Sequence, residues 1–414
     1  MTARRAAVAA LGFAGSTAMA GAAGHLRRQA GVVGPHWWGM FDVARTPGGR
    51  VAASVALLSG LAALGLASTL LLAVRPSVRA VGGITAVWAV PFLIAPPVAS
   101  LDVFSYAAQG DLLARGLDPS HVGVGHAGPA FAAAADPRWH GAPAPYGPLA
   151  LLVSHGAAAG GRHVLATVIV LRIVAVVALL VTAAVASRIA DDAVLAGVVV
   201  GGPLVLVTYA SAAHHEALMT ALIVGALAAH RRGRPFAAAL LAAAAAAVKL
   251  PGFVVLATVV SVTVLQAASP RERLAGLARA VMATALVWGV LALCVPSPFG
   301  FVSALSTPGL GRTAVAPVTI LADLLPGSEH GWRTAGQVVA VGVVALLLLT
   351  ARRRDVVLTA GWGLLAVGLL GPVLYPWYLA PAAIVLALGT GASARAVAVS
   401  AGAAGPWLAL PRIG

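Results

Sequence analysis

At 414 residues, with 60% hydrophobic and 9% charged residues, the chain has the composition of a polytopic membrane protein and leaves over no soluble domain of useful size. Its formal net charge of +15 does not point to nucleic acid, because the arginines sit in short clusters between apolar runs, where they act as topology signals. One cysteine, Cys294, lies inside an apolar run, which excludes an intrachain disulfide and a thiolate metal site.

Met1–Gly24 begins with Arg4 and Arg5 and continues as a weak Ala/Gly-rich apolar run, either a first transmembrane helix or a cleaved signal. Either choice puts His25 outside. Further spans are expected at Val51–Val74, Ile84–Ser100, Val164–Ser187, Ala193–Ser211, Ala217–Ala229, Pro235–Val248, Phe253–Gln266, Ala278–Val295, Thr334–Thr350, Val356–Leu374, Tyr378–Leu388 and Ala396–Leu410. With the first run this makes about thirteen crossings, several of them shorter than the ~20 residues a crossing helix needs. The expectation is an all-α fold: a polytopic transmembrane helix bundle forming a single integral membrane domain over residues 1–414. With the N-terminus inside, the short cytoplasmic segments collect more than half of the 27 basic residues, and of the twelve acids only Asp191, Asp192, Glu272 and Asp355.

Residues 101–149 then form the first large extracytoplasmic loop, with Asp102, Asp111, Asp118 and Asp136 in it. Asp102 follows an apolar span directly, at the water–lipid boundary. An acid there can act on a substrate whose tail stays in the bilayer while its head group projects into water. Phe104, Ser105, Tyr106 and Gln109 follow at helical spacing and predict a short interfacial helix after Asp102; the alternative role for Asp102 is an N-cap. Asp118-Pro119 and Asp136-Pro137 are turn starters by type, and Asp111 belongs to a solvated helix face. Gly123 to Gly128 formally matches GxGxxG, but no strand precedes it and no helix follows in a βαβ unit, so a dinucleotide site is rejected. No D-x-D metal clasp occurs. Pro143 to Pro148, with Tyr146 among its prolines, suits a loop that must hold its shape over a site.

His214, His215 and Glu216 separate two spans. Adjacent residues point about 100° apart on a helix, and no His follows at i+4. Hydrogen bonding to a polyhydroxylated substrate, or orienting Asp102, therefore ranks above zinc binding, with polar capping of the loop as the plain alternative. Lys249, the only lysine, precedes Pro251-Gly252, and Arg312 lies in the Pro/Gly-rich loop 296–317. Arg172 falls inside a span, where a charge costs about 2.5–3.5 kcal/mol on insertion scales. A lipid-linked phosphate or an acid on a neighbouring helix would compensate it, and snorkelling to the interface is the alternative. Tyr375, Trp377 and Tyr378 form either an interfacial aromatic belt, which position alone favours, or a stacking face for a sugar ring. By the same topology all these polar turns fall on the outer side with Asp102.

The stretches DVFSYAAQGDLLARGLDP, PAPYGPL, VTYASAAHHEALM, AAVKLPG, LSTPGLGR and LGPVLYPWYLAP together resemble the actinobacterial polyprenol-phosphate-mannose-dependent α-1,6-mannosyltransferases, which are membrane glycosyltransferases of the GT-C fold. The resemblance runs from about residue 81 to residue 388, and His214-His215-Glu216 stands where His-Asn-Asp is expected. It implies transfer of mannose from a polyprenyl-phosphate carrier to a mannan or other glycan or glycolipid acceptor, with inversion, on the outer face of the plasma membrane. Neither a cofactor nor a metal is expected, and nucleic acid is not a partner. On this reading Asp102 is the general base. Tyr106, Gln109, Tyr146, His214, His215, Glu216, Trp377 and Tyr378 contact substrate, and Lys249, Arg312 and Arg172 meet the donor phosphate. A competing class is a transporter or lipid-carrier flippase, which should show related halves or broken helices around a mid-membrane site, and no clear internal repeat is visible. A third is a GT-C transferase of another sugar, such as arabinose or glucose, which only the substrate separates.

Overall fold

Prolines, glycines and caps divide the apolar sequence into helices, and no strand occurs among the described residues. The computed structural model describes residues 3–23, 47–98 and 100–412, so the expectation for His25 lies outside the described residues. Helix α1 (Ala3–Ala22) packs on α2 (Pro47–Val74) through small residues, with Gly15 facing the Gly60 carbonyl so closely that a side chain would not fit. Helix α3 (Val78–Ile94), capped by Ser77, is tied to α1 by the Trp88 indole N–H donating to the Ala9 carbonyl at 3.1 Å. It ends at Ile94 and not at Ser100, because Pro96 and Pro97 have no N–H and force extended backbone before them.

The next helices are α4 (Asp102–Ala114), the short α5 (Pro129–Ala134) and α6 (Pro148–Gly161). α6 was absent from the expected spans. It begins with Pro at its first turn and stops at Arg162 in a left-handed conformation, φ 60°. Gly110 lets α4 press on α6, since a Cβ there would overlap the Ser154 carbonyl.

Helix α7 (Val164–Ile189) is followed by a run expected as one helix but interrupted: α8 (Ala193–Val200), Gly201-Gly202, α9 (Pro203–Val205) and a π-helical turn over Leu206–Ser211. After it come α10 (Glu216–Arg231), α11 (Pro235–Ala246), α12 (Gly252–Gln266) and α13 (Pro270–Ala292). The C-terminal part holds α14 (Pro317–Leu324), α15 (Glu329–Leu349), α16 (Val356–Leu370), α17 (Pro376–Ala387) and α18 (Ala392–Ala404).

Among the described residues, five helical segments are long and apolar enough to cross a membrane: Val51–Val74, Val164–Ile189, Ala193–Ser211, Pro270–Ala292 and Glu329–Leu349. The expected thirteen crossings are therefore not shown. At 1.5 Å per residue, a helix as short as α11 or α17 falls short of the ~30 Å hydrocarbon layer. On α15 the apolar Val338, Val339, Val341, Leu346 and Leu349 all point outward, as on a face that meets lipid.

Helix ends gather at two opposite ends of the bundle. At one, Arg75 bonds Asp192 at 2.7 Å, Arg231 reaches Asp355 at 3.5 Å, and the Asp191 N–H donates to the Leu388 carbonyl at 3.3 Å. The other end carries the beginnings of α4, α10, α12 and α17.

Candidate active site

Asp102 is the first residue of α4. Leu101, not Asp102, is the cap residue, and it makes no side-chain cap bond. One turn on, Tyr106 lies on the same face. Its hydroxyl accepts from the Tyr146 hydroxyl at 3.2 Å and stands 2.9 Å from His214 Nδ1, so donation to that nitrogen completes the chain. His214 Nδ1 also faces two carboxylates, Asp102 at 4.0 Å and Glu216 at 3.9 Å. The Trp377 ring stacks on the imidazole with centroids 4.0 Å apart.

Local backbone explains how adjacent histidines serve opposite neighbours. The π-helical turn ends at Ser211, and Ala213 adopts a left-handed φ of 51°, uncommon for a residue with a Cβ and frequent at functional turns. His214 turns toward Asp102 and Trp377. His215 stacks on Tyr106 at 4.1 Å, with its Nε2 3.1 Å from Ser154 Oγ on α6. Burial first, and the Lys249 charge second, lower the His215 pKa to about 3, so its imidazole is neutral.

Lys249 follows the end of α11. The proline strap is fixed to this turn by Gly147 N–H donating to the Val248 carbonyl at 3.0 Å and Leu149 N–H to Ala247 at 2.9 Å, with Gly147 too close to Ala247 for any Cβ. Lys249 Nζ donates to Glu216 Oε1 at 2.5 Å and lies over the rings of Tyr146, 4.9 Å, and Tyr378, 4.6 Å. Burial, the largest single influence, works against the ammonium, but the Glu216 charge, Tyr146 and the Glu216 hydrogen bond together outweigh it and raise the pKa. The site thus holds a stable cation.

These groups surround a cavity of about 50 Å³ lined by Asp102, Tyr106, Gln109, Trp139, Tyr146, Lys249, Thr307, Tyr375, Trp377 and Tyr378 among others. Beside it runs an apolar groove of about 560 Å³, with Met219, Leu250, Val341, Leu364 and Val367 in its walls and Glu216 also lining it. Pro145, Lys249, Pro308 and Tyr378 line both and form the partition. A carboxylate that can accept a proton, a cation that can face a departing anion and flat aromatic walls therefore meet where a small cavity holding charged side chains adjoins a large apolar groove.

Of the residues singled out in the sequence, Asp102, Tyr106, Gln109, Tyr146, Lys249, Trp377 and Tyr378 line the cavity, His214 and His215 lie behind its wall, and Glu216 lines the groove. Two are not brought there. Arg312 bonds Asp323 at 2.5 Å and Glu329 at 3.4 Å with half its side chain exposed. Arg172 is buried and donates to the carbonyls of Leu93 at 3.1 Å, Ala95 at 2.9 Å and Ser211 at 2.8 Å. Tyr375 and Trp377 are 3% and 2% exposed, so they wall the cavity and do not form the interfacial belt that position favoured. Asp111 is not a solvated bystander, since it accepts from the Gly128 N–H at 2.6 Å and pins the loop. The sequence reading missed Ser154, Trp139 and Thr307. Thr307 lay in the LSTPGLGR stretch and donates to the Pro143 carbonyl at 3.0 Å, whereas Trp139 carried no signal.

Residues 9–265 match the family model described as "Alpha-(1->6)-mannopyranosyltransferase, N-terminal domain", and residues 313–412 match one described as "MptB C-terminal domain". A Mycolicibacterium smegmatis protein named probable alpha-(1->6)-mannopyranosyltransferase is 44% identical over 78 residues, 17% of this chain and 13% of that protein. Two Mycobacterium tuberculosis proteins, one named alpha-(1->6)-mannopyranosyltransferase and one alpha-(1->6)-mannopyranosyltransferase A, are 42% identical over 78 residues and 46% over 71, each match covering 17% of this chain and 13% and 14% of theirs. The matched stretches thus span a small fraction of these curated relatives. No solved structure matches.

Proposed function

From the chain's membership of the alpha-(1->6)-mannopyranosyltransferase family, we propose that it is a membrane glycosyltransferase that moves mannose from a polyprenyl-phosphate carrier to a mannan or lipid-linked glycan acceptor. The observation that carries this reading is the partition between cavity and groove. A donor with an isoprenoid tail and a phosphosugar head calls for an apolar groove beside a cavity that holds charged groups, with a cation where they join; here the groove is about 560 Å³, the cavity holds Asp102, and Lys249 lines both.

In the proposed reaction an acceptor hydroxyl attacks the anomeric carbon of mannose on the face opposite the phosphate. Asp102 takes the hydroxyl proton as the new C–O bond forms. The bond from the anomeric carbon to the phosphate oxygen breaks, its electron pair stays on polyprenyl phosphate, and the configuration inverts. Lys249 faces the charge that develops on the phosphate. Arg312, engaged by two carboxylates, and Arg172, engaged by carbonyls, are left out of this role. Trp377 and Tyr378 offer faces to the sugar ring, and the raised pKa values of Tyr106 and Tyr146, due first to burial, keep their hydroxyls as donors. We assign the reaction to the outer face of the plasma membrane, since the opposite end of the bundle bears the arginine-rich loops. The run from α8 to α9 is broken at Gly201-Gly202, as a transporter helix would be, but the charged side chains Asp102, Glu216 and Lys249 gather at the cavity and the groove and not at that break, which favours the transferase reading.

The test is to incubate membranes containing the protein with radiolabelled polyprenyl-phosphate-mannose and a short α-mannoside. Label should move to a longer mannoside, and Asp102→Asn should lose about 10²–10⁴-fold of the rate while remaining folded. Transfer only from another sugar's carrier, or an active Asn variant, would overturn the donor or the base respectively.

A further inference from the structure

We infer that Arg172 is a positioning residue that sets the approach of Asp102 to His214 by clamping the backbone segments that lead into them. The inference rests on the reading of Asp102 as the general base.

Helix α3 stops at Ile94, and the prolines after it supply no N–H, so carbonyls of its last turn are left without intrahelical donors in an apolar layer. Arg172, reaching inward from α7, meets this need. Its Nη1 donates to Leu93 at 3.1 Å and Ala95 at 2.9 Å, and its Nη2 to Ser211 at 2.8 Å, at the end of the π-helical turn. Ser211 is held a second way, its hydroxyl accepting from the Val98 N–H at 2.9 Å. One side chain therefore staples the chain leading to Asp102 onto the chain leading to His214. Downstream of the staple, Asp102 Oδ2 and His214 Nδ1 stand 4.0 Å apart. The guanidinium is a planar fork that serves several acceptors at once, which an ammonium on a flexible stem does not. Its charge sits against helix carbonyl ends, the favourable position for a cation. This accounts for a buried arginine in a membrane helix without a phosphate.

Wild type, Arg172→Lys, Arg172→Gln and Ser211→Ala are compared in lipid nanodiscs. The readouts are kcat per folded protein, KM for polyprenyl-phosphate-mannose, and hydrogen exchange over residues 95–104 and 206–216. Both Arg172 variants should lose kcat alike, by about 100-fold for a misplacement of ~1 Å. The donor KM should stay unchanged, and both segments should exchange faster. A donor KM that rises in Arg172→Gln and is restored by Arg172→Lys would mean a phosphate ligand and overturn the clamp, as would unchanged exchange. If Arg172→Gln does not fold, Arg172→Lys decides: it keeps the charge and loses the fork, and should still lower kcat and speed exchange in both segments, so normal values for both would overturn the proposal; Ser211→Ala, which removes only the second tether, should have the same effects more weakly. If wild type transfers nothing from this donor, the functional reading falls, while the exchange measurements still decide the clamp.

Discussion

Lys249 and Glu216 place opposite charges 2.5 Å apart where water is largely excluded. Desolvating two ions costs several kcal/mol each, and their mutual attraction offsets it only while both are present. Glu216→Gln should therefore lower stability by about 3–5 kcal/mol in denaturant titrations of the detergent-solubilised protein. The double variant Glu216→Gln with Lys249→Met should recover most of that loss without recovering transfer, because the cation is gone. His215 makes a separate prediction. Its folded pKa of about 3 lies below the ordinary 6.5, so the folded chain binds fewer protons than the unfolded one. The stability this represents is complete above pH 6.5 and is lost as the pH falls toward 3, at up to about 1.4 kcal/mol per pH unit. Unfolding measured across pH 4–7 should be shallower in His215→Gln than in wild type. Asp118 and Asp192, whose pKa values are also lowered in the folded state, push the same way in both proteins and cancel in the comparison.

At the level of elements, the contact of α4 with α6 fixes how deep the Asp102 face sits. A methyl group at Gly110 would overlap the Ser154 carbonyl and lie 3.1 Å from Ala158 Cβ. Gly110→Ala should cost about 1–3 kcal/mol through overpacking. It should also disturb the Ser154–His215 bond, which a loss of transfer larger than the loss of folded protein would reveal. α6 itself was hard to see in the sequence: fourteen residues rich in Ala and Gly, shorter than a crossing and holding His155 in mid-helix. The apolar runs, the polar turns between them and the carboxylate at the start of α4 were legible, because hydropathy and proline positions are local properties. The divergence of His214 and His215 was not, because it depends on a π-helical turn and a left-handed Ala213. Nor were the partners of Arg172, which are carbonyls from segments 79, 77 and 39 positions away that no side-chain pattern announces.

Taken as a whole, the molecule has an arginine-rich end and a cavity end, and its one cysteine reports on which faces out. Cys294 is exposed and follows α13 shortly before the 305–308 segment that contributes to both the cavity and the groove. A membrane-impermeant maleimide should label Cys294 on intact cells, whereas Arg353→Cys in a Cys294→Ser background should react only after permeabilisation. The reverse pattern would invert the assigned topology. The thin partition described above also bears on energetics. Among the described residues, groove and cavity are lined by largely separate sets and share Pro145, Lys249, Pro308 and Tyr378. Free-energy changes at sites without shared partners add, and those that share a partner couple. On the proposed donor, carrier-tail preference and sugar preference should therefore vary largely independently, with interaction energy between them carried by the residues of that wall and by the Lys249–Glu216–His214–Asp102 chain of contacts that crosses it.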